Sequence, residues 1–233
     1  MSSRHIALVT GANRGIGFEV SRQLGRMGYT LILGCRSEER GRTAREMLNA
    51  EGIEAAFVDL DMADPASIEA AAAQVGRDYP HLDVLVNNAA IHYDTWQRAA
   101  SADLDVVQEA ITTNTLGPWR LSMALLPVLR RSQAPRIVNI SSGGGSIASM
   151  TGKTPAYSVS KAGLNAVTRM LARDLESEGI LVNAVCPGWT QTEMGEWGGR
   201  SVADGAAGVV WAATLDSSGP SGGFFSDMQP VPW

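Results

Sequence analysis

Short apolar runs alternate with helical segments along almost the whole chain, and this alternation limits the fold more than any other feature of the sequence. The runs have the length and the flanking residues of buried strands. They lie at 5–9, 30–34, 53–58, 82–86, 136–140 and 180–185. Repeated strand–helix units predict an α/β chain with a doubly wound, mostly parallel sheet and helices on both faces, which is a three-layer α/β/α arrangement.

Proline and its neighbours mark the expected helix boundaries. Asp64 followed by Pro65 is typical of a helix start, and Thr154-Pro155 predicts the start of a helix over 155–178. A long helix is expected over 103–131, bent or broken near Gly117-Pro118 and at Pro127, because an internal proline removes a hydrogen-bond donor. The remaining elements are a short helix at 201–213 and a brief apolar segment at 222–225.

Composition favours one soluble enzyme-sized domain. The chain has 233 residues, 45% of them hydrophobic, and no linker or repeat, so one domain over 1–233 is expected. A formal charge of -5 without a basic stripe argues against nucleic-acid binding, and no apolar stretch is long enough to span a membrane. The chain has only two cysteines and starts without a signal peptide, which predicts a cytoplasmic protein. Its three histidines are scattered, so no metal site is expected.

A glycine-rich turn follows the first expected strand. The sequence Thr10-Gly-Ala-Asn-Arg-Gly-Ile-Gly17 separates that strand from an amphipathic helix over about 16–27. Glycines let a pyrophosphate approach the backbone, and the helix N-terminus favours its negative charge. The alternative is an ordinary turn. The flanking elements favour a Rossmann-type dinucleotide site. Its expected residues are Gly11, Asn13, Arg14, Gly15, Ile16 and Gly17.

The end of the second strand indicates which dinucleotide binds. An acidic residue that would hold a free ribose 2′-hydroxyl is absent there, and Cys35 is followed by Arg36. Arg14 could reach the same region, and two guanidinium groups suit a 2′-phosphate because arginine pairs with phosphate in bidentate geometry. We therefore expect NADP(H) in preference to NAD(H). The alternative is that Arg36 is a solvated residue at the start of the next helix.

Tyr157 and Lys161 are four residues apart in the helix expected at 155–178. Residues at i and i+4 share a helix face, so the phenol and the ammonium group can be neighbours. A nearby cation lowers the pKa of a tyrosine, which is ordinarily about 10, and makes the phenol usable as a general acid or base. Taken alone, the pair could be an unremarkable surface contact.

These motifs, in this order, resemble the short-chain dehydrogenase/reductase family over essentially the whole chain. The resemblance rests on 10–17, Asn87-Asn-Ala-Ala90, Asn114, Ser141-Ser142 with Tyr157 and Lys161, and Pro187-Gly188 with Thr192. The stretches 11–23, 87–91 and 186–194 and the ending 222–233 further resemble the carbonyl-reductase branch. The resemblance implies an oxidoreductase that transfers a hydride between a nicotinamide and a carbonyl or alcohol.

The resemblance also implies roles for four residues. Tyr157 would be the acid in carbonyl reduction, and Lys161 would lower its pKa and hold the nicotinamide ribose. Ser142 would hydrogen-bond the substrate oxygen, and Asn114 would position a water behind Lys161. The simpler alternatives are that Ser142 satisfies backbone groups at a strand end and that Asn114 is a helix-bend residue.

Further cofactor positions follow from the same resemblance. Asp59 and Leu60 would lie beside the adenine, and Asn87 and Ala89 would form the wall near the adenosine ribose and nicotinamide. The nicotinamide end would be formed by Pro187, Gly188, Thr190 and Thr192. The family usually has glycine where this chain has Ala90, whose methyl group could crowd the local backbone.

The substrate is expected to be an apolar or aromatic carbonyl compound. The segment 189–200 should form a lid over the cofactor, and Trp189, Met194 and Trp197 make it apolar. His92 and Tyr93, which follow another strand end, are also expected at the substrate, with His92 as a polar rim residue. The alternative is that these aromatic residues pack the lid against the body of the protein or a partner subunit.

Two broader expectations concern the oligomeric state and the alternatives to this function. Monomeric carbonyl reductases of the type that this chain resembles carry a long insertion between the serine and the tyrosine, whereas the gap from Ser142 to Tyr157 is short here. The resemblance therefore implies that the outer faces of the 103–131 and 155–178 helices are free to pair, as in dimeric and tetrameric relatives, and a homodimer or homotetramer is expected. Phe224-Phe225 could be buried at such a contact.

Three other functions remain alternatives: a non-catalytic nucleotide sensor, a methyltransferase on a related sheet and an enzyme working as an alcohol dehydrogenase.

Overall fold

The strands form one twisted sheet in the order β3-β2-β1-β4-β5-β6-β7-β8 in the computed structural model, which describes residues 4–194 and 199–233. All neighbouring strands are parallel except β7 and β8. The strands are β1 Ile6–Thr10, β2 Thr30–Cys35, β3 Ala55–Asp59, β4 Val84–Asn87, β5 Arg136–Ile140, β6 Leu181–Cys186, β7 Phe224–Ser226 and β8 Gln229–Pro230. The expected doubly wound α/β fold is confirmed.

Helices cover both faces of this sheet. They are α1 Gly15–Arg26, α2 Glu38–Ala50, α3 Pro65–Asp78, α4 Leu104–Ile111, α5 Gly117–Leu129, α6 Pro155–Asp174 and α7 Val202–Ala213. The apolar cluster on one face contains residues of α1, α2 and α7, and the cluster on the other contains residues of α3, α5 and α6. Successive strand residues such as Leu8 and Val9 belong to opposite clusters, as the period of two along a strand requires.

The chain reverses its direction of strand addition between β1 and β4, which are neighbours in the sheet. Strands β2 and β3 are added on one side of β1, and β5 and β6 on the other side of β4. In open parallel sheets the ligand cleft lies at the carboxyl ends of the strands beside this switch. The fold therefore places the glycine turn after β1 and the segment after β4 at one cleft.

The long helix expected over 103–131 is broken next to Gly117, as predicted, but not at Pro127. It is broken by one wide π-type turn, Thr112–Leu116, immediately before Gly117, and α5 then continues through Pro127. Gly117 is needed at this point because a side-chain carbon there would lie 2.3 Å from the carbonyl oxygen of Met62. The π turn contains the buried Asn114, so the irregular backbone coincides with an expected site residue.

The ending of the chain forms a hairpin that the sequence did not predict. Strands β7 and β8 pair around Asp227 and Met228, both with positive φ, a conformation for which glycine or asparagine is the usual signal. Phe224 stacks on Trp233 and Phe225 packs against Trp211. The expectation that these phenylalanines lie at a subunit contact is wrong, because both are buried within the chain.

Candidate active site

One cavity of about 520 Å³ lies at the carboxyl ends of the central strands. It is lined by residues of the glycine turn, the ends of β2, β3 and β4, the start of α6 and the segment after β6. The lining residues that the sequence predicted are Gly11, Asn13, Arg14, Gly15, Ile16, Arg36, Leu60, Ala89, Tyr157, Lys161, Pro187, Thr192 and Met194. Residues from distant parts of the chain are therefore brought to one cleft.

The glycine turn has the geometry that a diphosphate group requires. Gly11 and Gly15 have φ values of +62° and +56°, which other residues adopt only with strain. Arg14, the N-cap residue of α1, provides no side-chain cap, so the N–H groups of the first turn remain available for an anion. Gly17 packs directly on Asn88, whose amide donates to the carbonyls of Thr10 and Gly11. These residues fit a dinucleotide.

Arginines surround the end of the cavity next to β2. Arg36 and Arg40 both line it and are exposed, and neither makes an ion pair with another described residue. Arg14 also lines the cavity, but its guanidinium pairs with the carboxylate of Glu193 from the opposite side of the cleft. Arg40 was not among the expected site residues, because the start of a helix does not by itself indicate which of its side chains line a cavity.

Two expected cofactor residues lie elsewhere. Asp59 is exposed and does not line the cavity, whereas Asp61 does, two residues further along the chain. Asn87 is buried, and its amide donates to Ser122 and Asn139 inside the protein. The wall is formed by its neighbour Asn88 instead. Strands β3 and β4 each end one residue later than the sequence indicated, at Asp59 and Asn87, so residues that follow them line the cavity.

Tyr157 lies at the cavity with Ser142 beside it. Ser142 lies near enough to the Tyr157 phenol to act on its pKa, which it lowers. Ser142 follows β5 directly, and its Oγ also accepts from the N–H of Gly144 at 3.2 Å. The structure thus places the hydroxyl groups of Ser142 and Tyr157 together, at the end of β5 and the start of α6. Ser142 also satisfies a backbone N–H group at the strand end, which was the simpler alternative for it.

Lys161 lies behind the tyrosine and is only 1% exposed. Its Nζ donates a 2.6 Å hydrogen bond to the carbonyl oxygen of Ile140 and lies 5.5 Å from the centre of the Tyr157 ring. Burial lowers the pKa of Lys161 to about 8, although the nearby Cys186 acts to raise it. At neutral pH this ammonium group therefore keeps most of its charge.

Burial raises the pKa of Tyr157 above its ordinary value. Cys186 acts in the same direction and Ser142 acts against it. The expected lowering of this pKa by Lys161 is not found, because desolvation of the phenolate outweighs the other influences. The phenol therefore holds its proton at neutral pH and has the protonation state of an acid.

Asn114 joins two segments that meet at the tyrosine. Its side chain accepts from the N–H of Ile91 at 2.9 Å and donates to the carbonyl of Ile91 at 3.0 Å. It also donates to Ser160 Oγ on α6 at 3.0 Å. The residue thus does more than bend a helix, since it ties the segment after β4 to the helix that carries Tyr157 and Lys161.

The segment after β6 forms the third side of the cavity. Pro187 and Thr192 line it, while Thr190 is buried and donates to the carbonyls of Pro187 and Gly188. Gly188 has a φ of +72° and packs against the guanidinium of Arg200. Gly188 and Thr190 therefore shape this loop without lining the cavity.

The expected lid is described only at its two ends. The main chain of Trp189 and Gln191 pairs with that of Arg200, which closes the base of the loop. Residues 195–198, which include Trp197, lie outside the described part of the chain. Met194 lines the cavity, whereas Trp189 is 69% exposed and lies outside the lining set.

The two expected substrate residues after β4 behave differently from each other. His92 makes a 2.7 Å contact with Glu109 on α4 and does not line the cavity. The Tyr93 ring meets the Tyr157 ring edge to face, at 5.2 Å between centres. Tyr93 is therefore a direct neighbour of Tyr157, although it too is outside the lining set.

Comparisons with known proteins agree with this geometry. Residues 5–199 match the family model described as short chain dehydrogenase. The chain is 35% identical to (+)-neomenthol dehydrogenase of Arabidopsis thaliana, with 96% of each chain covered. It is 34% identical to carbonyl reductase [NADPH] 1 of Mus musculus, with 100% of this chain and 99% of that one covered. The latter alignment runs over 281 positions against 233 residues here, so the relative carries segments that this chain lacks.

Solved structures agree as well. The NADPH-bound carbonyl reductase from chicken fatty liver superposes with a TM-score of 0.89 at 31% identity, with 99% of each chain covered. Menthone neomenthol reductase from Mentha piperita superposes with a TM-score of 0.81 at 31% identity, covering 97% of this chain and 99% of that one. Within the described residues of the present chain, no helix is both long and apolar enough to cross a membrane.

Proposed function

This chain belongs to the short-chain dehydrogenase family and is an oxidoreductase of carbonyl substrates, and we propose that it is an NADP(H)-dependent reductase of apolar or aromatic ketones and aldehydes. The observation that carries the proposal is that Tyr157 and the buried Lys161 meet at the cavity that the glycine turn opens, with Ser142 beside Tyr157 although it does not line the cavity. The nicotinamide cofactor of the family supplies the hydride when it is bound.

The protein residues would hold that cofactor along the cleft. The N–H groups of Gly15, Ile16 and Gly17 at the start of α1 face the position for the diphosphate. Leu60 and Asp61 flank the position for the adenine, and the segment from Pro187 to Thr192 flanks the opposite end. This assignment follows the order of the elements around the cavity.

Arg36 and Arg40 support a preference for the 2′-phosphate. Both are exposed cations at the end of β2 and on α2, without a carboxylate partner among the described residues. A free 2′-hydroxyl would leave both charges without a counter-charge, whereas a phosphate can accept from both in bidentate geometry. The names of relatives such as carbonyl reductase [NADPH] 1 agree with this preference.

The tyrosine supplies the proton in the proposed reaction. Negative charge develops on the carbonyl oxygen as the carbon is reduced, and hydroxyl donors placed at that oxygen stabilise it. Ser142 donates a hydrogen bond there, and Tyr157 donates its proton. The raised pKa of Tyr157 keeps that proton in place at neutral pH, so the phenol is in the form that donates.

Apolar side chains near the cavity mouth support the proposed substrate class. Met194 lines the cavity, Tyr93 packs on the Tyr157 ring, and Trp189 is exposed at the base of the lid loop. An apolar or aromatic compound that covers these groups would remove their surface from water on binding. We further propose that residues 1–233 form one domain, in which the segment 189–200 acts as a lid over the cofactor.

A homodimer or homotetramer remains part of the proposal. The outer surfaces of α5 and α6 expose Met123, Val159 and Met170, and burying such side chains is favourable. A non-catalytic sensor would not need the tyrosine and lysine beside a nucleotide cleft. Sedimentation of the purified chain tests the oligomeric state, and turnover of a carbonyl substrate tests the sensor alternative.

The test of the proposed function is a substrate panel followed by absorbance of NADPH. Aromatic and aliphatic aldehydes, ketones and quinones are offered with NADPH and, in parallel, with NADH. Consumption of NADPH that depends on an apolar carbonyl supports the proposal. NADPH binding without consumption for every carbonyl favours the sensor, and equal rates with both cofactors contradict the proposed NADP preference.

A further inference from the structure

Asp94 is a fully buried carboxylate in the segment between β4 and α4, with 0% of its surface exposed. A buried carboxylate is costly unless hydrogen bonds compensate for the lost water. The donors here are the main-chain N–H of Ala156 and that of Tyr157, each at 3.0 Å, and Gln97 Nε2 at 3.1 Å. Asp94 does not line the cavity. Its carboxylate is thus directed at the first turn of α6 and at the backbone of the proposed acid.

The first turn of α6 needs an outside partner because its own N-cap residue does not cap it. Thr154 has a φ of +48° and makes no side-chain cap, and its hydroxyl instead contacts Ser158 Oγ at 3.1 Å. The first N–H groups of a helix have no partner within the helix, and a negative charge at this end is favoured by the helix dipole. Asp94 therefore performs the capping function from a distant part of the sequence.

The segment that carries Asp94 is fixed at both of its ends. Ile91 is held through its N–H and carbonyl by Asn114, which also bonds Ser160 on α6. Next to Asp94, the Tyr93 ring contacts the Tyr157 ring edge to face. Segment 91–94 thus holds the main chain of Tyr157 and contacts its side chain, so movement of the segment would move the phenol.

We propose that Asp94 is a positioning residue for carbonyl reduction, which fixes the first turn of α6 so that the Tyr157 hydroxyl meets Ser142 at the cavity. The proposal rests on the proposed function, because it concerns the efficiency of that reaction. A displacement of about 1 Å at the reacting atoms can cost about a hundredfold in rate. A loose first turn therefore lowers the rate of proton donation while leaving the distant nucleotide contacts of α1 and β2 unchanged.

The experiment compares Asp94→Ala with Asp64→Ala. Asp64 is a matched control because its carboxylate caps α3 by accepting from the N–H of Ala66 at 2.9 Å, and α3 carries none of the proposed site residues. Asp94→Ala is expected to lower kcat about tenfold or more, with the Kd for NADPH within about threefold of wild type. Asp64→Ala is expected to lower thermal stability while kcat stays within about twofold.

Asp94→Asn keeps an oxygen acceptor and is expected to recover part of the lost kcat, since asparagine caps helices about as well as aspartate. If Asp94 only stabilised the fold, Asp94→Ala would lower thermal stability without lowering the kcat of the folded protein, as Asp64→Ala is expected to do. The proposal is overturned if folded Asp94→Ala has the kcat of wild type. If Asp94→Ala fails to fold, Asp94→Glu takes its place, because the added methylene displaces the carboxylate from the N–H groups of Ala156 and Tyr157. Folded Asp94→Glu with the kcat of wild type then overturns the proposal.

Wild-type turnover is measured first. If the wild type reduces no carbonyl, the proposed function fails, and the role of Asp94 fails with it. If the wild type is active and the Asp94 variants behave like Asp64→Ala, only the role of Asp94 fails.

Discussion

Lys161 Nζ donates its 2.6 Å hydrogen bond to the carbonyl of Ile140, the last residue of β5, two residues before Ser142. This bond ties the helix that carries Tyr157 to the strand that delivers its hydroxyl partner. The ammonium group is thus held in the protein interior by a main-chain oxygen, at the cost of most of its hydration. Its charge state is consequently linked to the stability of the fold.

Lys161→Met should remove a pH dependence of stability. The folded pKa of Lys161, about 8, lies below the ordinary 10.5, so the unfolded chain binds the proton more tightly. Burial of the charged ammonium group lowers the free energy of unfolding by its full amount below pH 8, and this cost disappears as the pH rises from about 8 to 10.5. Across that window the free energy of unfolding of the wild type should rise by up to about 3 kcal/mol relative to the variant.

Urea unfolding at pH 7, 8, 9 and 10 measures this difference. The comparison is made between wild type and Lys161→Met at each pH, which cancels groups common to both. Parallel stability curves for the two proteins would show that Lys161 is not destabilised by burial.

Gly145→Ala should perturb the lysine through its backbone. A side-chain carbon at Gly145 would lie 2.8 Å from the carbonyl carbon of Lys161 and 2.9 Å from its Cβ. Overpacking of this kind costs about 1–3 kcal/mol, so we expect lower stability and a lower kcat together. Gly143→Ala in the same turn is the matched control, since a carbon there meets nothing within 4 Å. Equal effects of the two substitutions in thermal melts would contradict this packing argument.

Arg36→Ala and Arg40→Ala should each weaken NADPH more than NADH. Each removes one cation from the position proposed for the 2′-phosphate, and a charged hydrogen bond of this kind contributes about 1.5–3 kcal/mol, or about tenfold or more in Kd. Arg42→Ala on the outer surface of α2, where Arg42 pairs with Glu38, is the control. Fluorescence titration gives each Kd, and a matching loss for NADH would assign the arginines to another part of the dinucleotide.

Glu193→Gln should tighten NADPH binding. Glu193 pairs with Arg14 across the cleft and places a negative charge beside the proposed phosphate positions. The neutral amide frees Arg14 for the cofactor, and we expect a Kd lower by about two- to fivefold at low salt, with the difference shrinking as salt screens it. Weaker binding by the variant would show that Glu193 helps to hold the dinucleotide.

The sequence was sufficient where the chemistry is local. The strand, glycine turn and helix at 6–26 and the spacing of Tyr157 and Lys161 are contained in short stretches, and both appear at the cavity. Asp59 and Asn87 lie outside the cavity lining because a shift of one residue at a strand end decides which side chain faces the cleft. Asp94 was missed because its partners, Ala156 and Tyr157, lie more than sixty residues away in sequence.

The most direct test of the account is Tyr157→Phe, which deletes one hydroxyl and leaves the ring that packs against Tyr93. NADPH titration and stopped-flow reduction of the best carbonyl substrate are measured on the same preparation. We expect an NADPH Kd within about threefold of wild type and a reduction rate lower by about a hundredfold or more, the size of a lost general acid. A variant that binds NADPH normally and reduces the substrate at the wild-type rate would contradict the assignment of Tyr157 as the proton donor.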